Sequence, residues 1–124
     1  MKAGGPFLLS LQGKKTILIK DVMVGEVWVL SGQSNMSFPL EAAEGAAAEI
    51  PKADYPQIRL FTVPQKIAFS PQQSVSSRWE ICNPETVKEF SAVGYFFGRE
   101  LYRKLRVPVG LIHSSWPGTE AAHK

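Results

Sequence analysis

The stretch Val24–Pro39, VGEVWVLSGQSNMSFP, decides how this chain is read. Val24, Val27, Trp28, Val29 and Leu30 form an apolar run rich in β-branched and aromatic residues, the composition of a buried strand. The run breaks at Ser31-Gly32 into the polar loop Gln33-Ser34-Asn35 before Met36. A buried strand that ends in a glycine turn and presents a serine is one way in which hydrolases expose a nucleophile. Gly32 permits the turn, and N–H groups freed there can face a developing oxyanion. The stretch departs from the G-x-S-x-G elbow, because Met36 stands where the second glycine would be. A turn-forming or helix-capping role for Ser34 is the competing reading.

Upstream, Phe7–Leu11 and Thr16–Ile19 are short apolar runs separated by Gln12-Gly13-Lys14-Lys15, a β-hairpin pattern, and Asp21 leads from them into the central strand. Downstream, the alanine-rich Glu41–Ile50 predicts a helix that Gly45 weakens and Pro51 stops. Pro56–Pro64 reads as a strand bracketed by prolines, and Gln65–Arg78, without periodicity, as a surface loop. The clearest helix follows, starting at Asn83-Pro84-Glu85 or at Ser91. Phe90, Val93, Phe97, Leu101 and Leu105 recur at helical spacing and predict one apolar face. Gly94 and Gly98 would allow a close approach to a neighbouring element, and Pro108 ends the helix. Val109–Ile112 is a second short strand, opening at His113 into Ser-Ser-Trp-Pro-Gly-Thr, where Thr119 is placed to cap a final helix. Strand, loop, helix, strand, loop is the α/β pattern with a parallel sheet. Ligand crevices in such sheets lie outside the carboxyl ends of the strands, so the Ser34 and Gly118 loops are expected to meet there.

Composition excludes several alternatives. With 124 residues, 44% hydrophobic and 20% charged, the chain suits one modest globular core rather than disorder. Fourteen basic against eleven acidic residues give a net charge of +3. Arg99, Arg103, Lys104 and Arg106 cluster near a helix end, where cations complement the helix dipole, so nucleic acid is not an expected partner. Cys82 is the single cysteine, which rules out an intrachain disulfide and a zinc-type cysteine cluster. No apolar run is long enough to span a membrane, and no charged-then-apolar leader opens the sequence. The compartment is left open. Trp28, Trp79 and Trp116 are as compatible with a core as with sugar stacking.

GEVWVLSGQSNM (Gly25–Met36) resembles the nucleophile block of the sialate O-acetylesterase family, a branch of the SGNH (GDSL-like) hydrolases. FSAVGYFFGREL (Phe90–Leu101), VPVGLIHSSWPGTEA (Val107–Ala121) and the opening AGGPF (Ala3–Phe7) resemble it in the same order. The resemblance implies an α/β fold, part of an SGNH-like three-layer sandwich with a parallel sheet. It divides the chain into residues 1–22, a hairpin at the tail of a β-rich domain, and residues 23–124, a truncated first part of the esterase domain. Exposed sheet edges, open to self-association or a partner chain, follow from that division.

The same resemblance implies a serine carbohydrate esterase that removes O-acetyl groups from sialic acid or a related acetylated sugar, with no cofactor and no metal. Ser34 would be the nucleophile, its N–H and that of Gly118 the oxyanion hole, and Gln33 and Asn35 loop supports or substrate contacts. Pro117 replaces the first glycine of the family's Gly-Gly-Thr and has no N–H to donate. The family's histidine base lies in an Asp-x-x-His segment, and nothing here matches it; neither His113 nor His123 is expected to replace it. The chain thus reads as the nucleophile-bearing part of an esterase without its base. An inactive fragment or a sugar-binding remnant of the same fold is the alternative.

Overall fold

The computed structural model describes residues 2–118. The expected helix after Thr119 and the position of His123 lie outside them. Strands β1 (Gly4–Gln12) and β2 (Thr16–Val24) form the antiparallel hairpin; β1 extends the expected run at both ends and β2 only at its carboxyl end. β2 runs through Asp21, and Gly25 alone separates it from β3 (Glu26–Leu30). Asp21 has a positive φ of 59° and binds the Arg59 guanidinium through both carboxylate oxygens, at 2.6 and 2.9 Å. That fork ties the hairpin to β4 (Tyr55–Thr62).

The second sheet is mixed, in the order β3-β6-β4-β5, with β6 spanning Val109–His113 and β5 Glu80–Cys82. β6 lies between β3 and β4 and is parallel to both, while β5 adds antiparallel to β4. This α/β arrangement is the one expected. Three-residue β5 is an addition that periodicity could not reveal, because too few residues alternate.

Helix α3 (Ala92–Leu105) covers one face of this sheet. Ser91 caps it: its hydroxyl, fully buried, accepts from the Gly94 N–H at 3.0 Å. Asn83 instead closes an Asx turn, its Oδ1 accepting from the N–H groups of Glu85 and Thr86. The anticipated apolar stripe is corrected by the structure. Of its five residues, Phe90 is buried and Leu101 packs against the core, but Val93, Phe97 and Leu105 are exposed, and the buried residues of the helix are Ala92, Gly94, Tyr95 and Gly98. The small residues face inward because the helix lies close to the sheet. A Cβ on Gly98 would sit 2.5 Å from Leu111 Cδ1, and one on Gly94 would overlap Leu30 Cδ1. The large apolar residues flank that contact, with Phe97 edge-on to Trp28 at 5.2 Å.

The alanine-rich segment is also not the continuous helix expected. It breaks into a 3₁₀ turn (Leu40–Ala42), the one-turn helix α2 (Ala46–Glu49) and a second 3₁₀ turn (Ile50–Lys52). Gly45, at φ 79°, supplies the left-handed residue that separates the first two. Leu40 and Ala53 from this segment join Ile58, Leu60, Val87, Phe90, Tyr95, Val109 and Leu111 in the core. Glu49 accepts from Tyr95 Oη at 2.7 Å and pairs with Arg99. Burial alone would raise the Glu49 pKa, yet these two donors hold it below its ordinary value. Arg103 bonds Tyr55 Oη and Lys104 pairs with Glu100, so these cations of the basic cluster serve the helix. Cys82 is fully buried, and that burial pushes its thiol up to about 12. No helix among the described residues is long and apolar enough to cross a membrane.

The other face of the sheet is open. Val27 and Val29 are 61% and 63% exposed, and among the described residues β3 pairs only with β6. Trp79 lies over Gly110 on this side and packs on Phe61.

The helix–sheet contact yields a test. Gly98→Ala is expected to lower unfolding free energy by about 1–3 kcal/mol, since overpacking outweighs the gain in helix propensity. Urea denaturation measures it, with Val93→Ala, on the exposed side, expected to cost less.

Candidate active site

β3 and β6 are parallel and in register from Glu26↔Val109 to Leu30↔His113, so their carboxyl ends coincide. Pairing continues past the strands. Ser114 N–H donates to Leu30 C=O at 2.8 Å, and Trp116 N–H to Gly32 C=O at 3.2 Å. The two loops, distant in sequence, are therefore bonded side by side.

Gly32 turns the chain out of β3 at φ 158°, where a Cβ would come 2.9 Å from that of Met36. Ser34 then opens the single helical turn α1 (Ser34–Ser37) and is exposed. As the first residue of the turn its N–H has no intrahelical acceptor. Gln33 stands at the N-cap position without a side-chain cap; its carbonyl accepts from Ser37 N–H at 2.9 Å. Asn35 is exposed, and its carbonyl accepts from Phe38 N–H at 3.4 Å. Met36 packs against the core, with its sulfur 3.7 Å from Ser91 Oγ.

Gly118 lies in the turn that leaves β6, exposed, at φ 73°. Pro117 precedes it in the same turn. Trp116 belongs to a small cavity of about 90 Å³ lined also by Val63, Pro64, Gln65, Ser114 and Ser115. A second, larger cavity, about 430 Å³, lies between the hairpin and the opposite end of the sheet, beside Glu26, Pro108 and Arg59. Glu26 and Pro108 mark the amino ends of β3 and β6, so this second cavity is remote from Ser34.

His113 ends β6 half-buried, against the Phe90 ring at 5.3 Å. Its Nε2 is bonded to Ser115 Oγ, and Ser115 Oγ lies 2.6 Å from Ser37 Oγ. Its Nδ1 is buried with no hydrogen-bond partner among the described residues. Burial holds the His113 pKa below its ordinary value. Ser37 and Ser115 were not singled out by sequence reasoning. The Ser114-Ser115 pair before Trp116 was visible in the sequence, but which hydroxyls would meet was not.

No protein-family model matches the chain. It is 36% identical to the sialate O-acetylesterases of Homo sapiens and Pongo abelii over 96% of its own length. The chain is a homologue of sialate O-acetylesterases. It spans 25% of the length of those relatives. Its structure matches a crystal structure of a carbohydrate acetylesterase from Xanthomonas citri with a TM-score of 0.88 and 38% identity, over 95% of this chain and 28% of that one. At that identity the likeness covers sequence as well as fold.

Titration of His113 is a direct check on this geometry. The unfolded chain, with an ordinary imidazole near pKa 6.5, binds the proton more readily than the folded one. The stability that a neutral His113 contributes is complete above about pH 6.5 and falls as the pH drops toward the folded value. Melting temperatures of the parent chain and His113→Asn are expected to converge between pH 7.5 and pH 5.

Proposed function

We propose that this chain is the nucleophile-bearing segment of a serine carbohydrate esterase that hydrolyses O-acetyl esters of sialic acid or a related acetylated sugar. The observation that carries the reading is the exposed Ser34 at the head of α1, on a glycine turn at the carboxyl end of a parallel strand, with the Gly118 loop bonded beside it. Its homology to sialate O-acetylesterases supplies the substrate class.

In this reading Ser34 Oγ attacks the acetyl carbonyl while a general base takes its proton. The N–H groups of Ser34 and Gly118 receive the oxyanion, leaving Pro117 without a donor role. The sugar hydroxyl departs with a proton, and water then releases acetate from the acyl-serine. Gln33 and Asn35 shape the loop around the nucleophile and face the substrate. His113 is a poor candidate for the base, since its Nε2 is engaged by Ser115 and its Nδ1 is buried. The base therefore comes from another segment of the whole protein, as the Asp-x-x-His block does in the family that the sequence resembles.

The same reading divides the chain into residues 1–22, closing a β-rich unit, and residues 23–124, beginning the esterase core, although β2 runs on to Val24 and so crosses that boundary. Further esterase structure would cover the open sheet face at Val27 and Val29. A second copy of the chain is the other occupant that face could take.

Hydrolysis of p-nitrophenyl acetate by the whole protein tests the nucleophile. Ser34→Ala is expected to reduce kcat by about 10⁴-fold or more with an unchanged fold by circular dichroism. Undiminished turnover would sink the assignment.

A further inference from the structure

We propose that Ser115 and Ser37 are positioning residues: their paired hydroxyls, backed by His113, lock the α1 turn that carries Ser34 onto the loop leaving β6. This rests on the reading of Ser34 as nucleophile for its catalytic consequence, though not for its structural one.

The need for a tether follows from the size of α1. It is four residues long, has no side-chain N-cap and contains no fully buried residue. A single helical turn has paid the nucleation cost without gaining from propagation, so it persists only through tertiary contacts. Met36 provides an apolar one. Ser37, one turn on from Ser34 and on the same side of the helix, provides a polar one through its 2.6 Å contact with Ser115 Oγ.

Ser115 is built to serve as the fixed end. It is 7% exposed, and its hydroxyl meets both Ser37 Oγ and His113 Nε2. Its neighbours Ser114 and Trp116 donate backbone bonds to Leu30 and Gly32 on the other loop, and its carbonyl accepts from Gln65 Nε2 at 3.5 Å. Loops after β3, β4 and β6 thus converge on one buried serine. His113 in turn is fixed by its strand and by Phe90, which gives Ser115 Oγ a rigid second partner. The chain His113–Ser115–Ser37 runs from the sheet to the last residue of α1, and its output is the height and rotation of the turn that presents Ser34.

Hydrogen exchange on this chain and turnover by the whole protein test the two parts separately. In Ser115→Ala and in Ser37→Ala, the amides of Ser37 and Phe38, which close the α1 turn on Gln33 and Asn35, are expected to exchange about fivefold faster, while α3 amides do not change. Ser37 is only partly buried, so its variant keeps the test open if Ser115→Ala folds poorly. With p-nitrophenyl acetate, each variant is expected to lose about tenfold to a hundredfold in kcat with KM within about twofold, and the double variant no more than either single one. Unchanged α1 exchange, or independent additive losses of kcat, would overturn the proposal. Ser34→Ala run alongside separates the two readings: turnover retained there defeats the nucleophile, while the exchange result still decides the tether.

Discussion

The parallel pairing of β3 with β6 is the constraint on which the site depends. In an antiparallel pair, the loop after one strand emerges a full strand length from the loop after the other. In the parallel pair both emerge at one end, and here the ladder extends beyond the strands through Ser114 to Leu30 and Trp116 to Gly32. Two segments that each look like an ordinary polar loop become one surface. Parallel pairing requires a long crossover between the strands, and the segment between Leu30 and Val109 supplies it, with α3 packed back on the sheet.

The height of α3 above that sheet is fixed by Gly94 and Gly98. Of the side chains that those glycines admit, Leu30 ends β3 where its loop leaves and Leu111 sits in the middle of β6. Ser91, which caps α3, also touches the sulfur of Met36 in α1. Helix, sheet and the α1 turn therefore share one set of contacts through Ser91 and Met36.

Sequence patterns carried much of this. The strands at Glu26–Leu30 and Val109–Ile112 were legible because apolar runs bounded by glycine, proline and polar loops have few other uses, and their order already implied that the Ser34 and Gly118 loops adjoin; but Val24 belongs to β2, and β3, expected to be buried, is exposed except at Leu30. What patterns missed has physical causes. The alanine-rich segment has strong helix propensity, but Gly45 in the left-handed region and the need to bury Leu40 and Ala53 against the core broke it into turns. The stripe on α3 was assigned to the large apolar residues because hydropathy rewards size, whereas close approach to the sheet rewards glycine. The Ser37–Ser115 contact left no trace in the sequence, since serines have no periodicity to betray which hydroxyl faces which.

His113 shows how far chemistry can be argued from place. A histidine at the end of a strand, near a candidate nucleophile, invites the role of base. Two conditions govern that role: a free ring nitrogen and a path to the nucleophile's proton. His113 Nε2 is committed to Ser115, and Nδ1 is enclosed. Burial favours the neutral ring, which suits a hydrogen-bonded support as well as a base. Its position in register with Leu30 places it at the root of the loop that holds Ser115 and Trp116, below the turn that presents Ser34. From there an imidazole can steady the two loops that leave β3 and β6, which its bond to Ser115 and the backbone bonds of Ser114 and Trp116 already join.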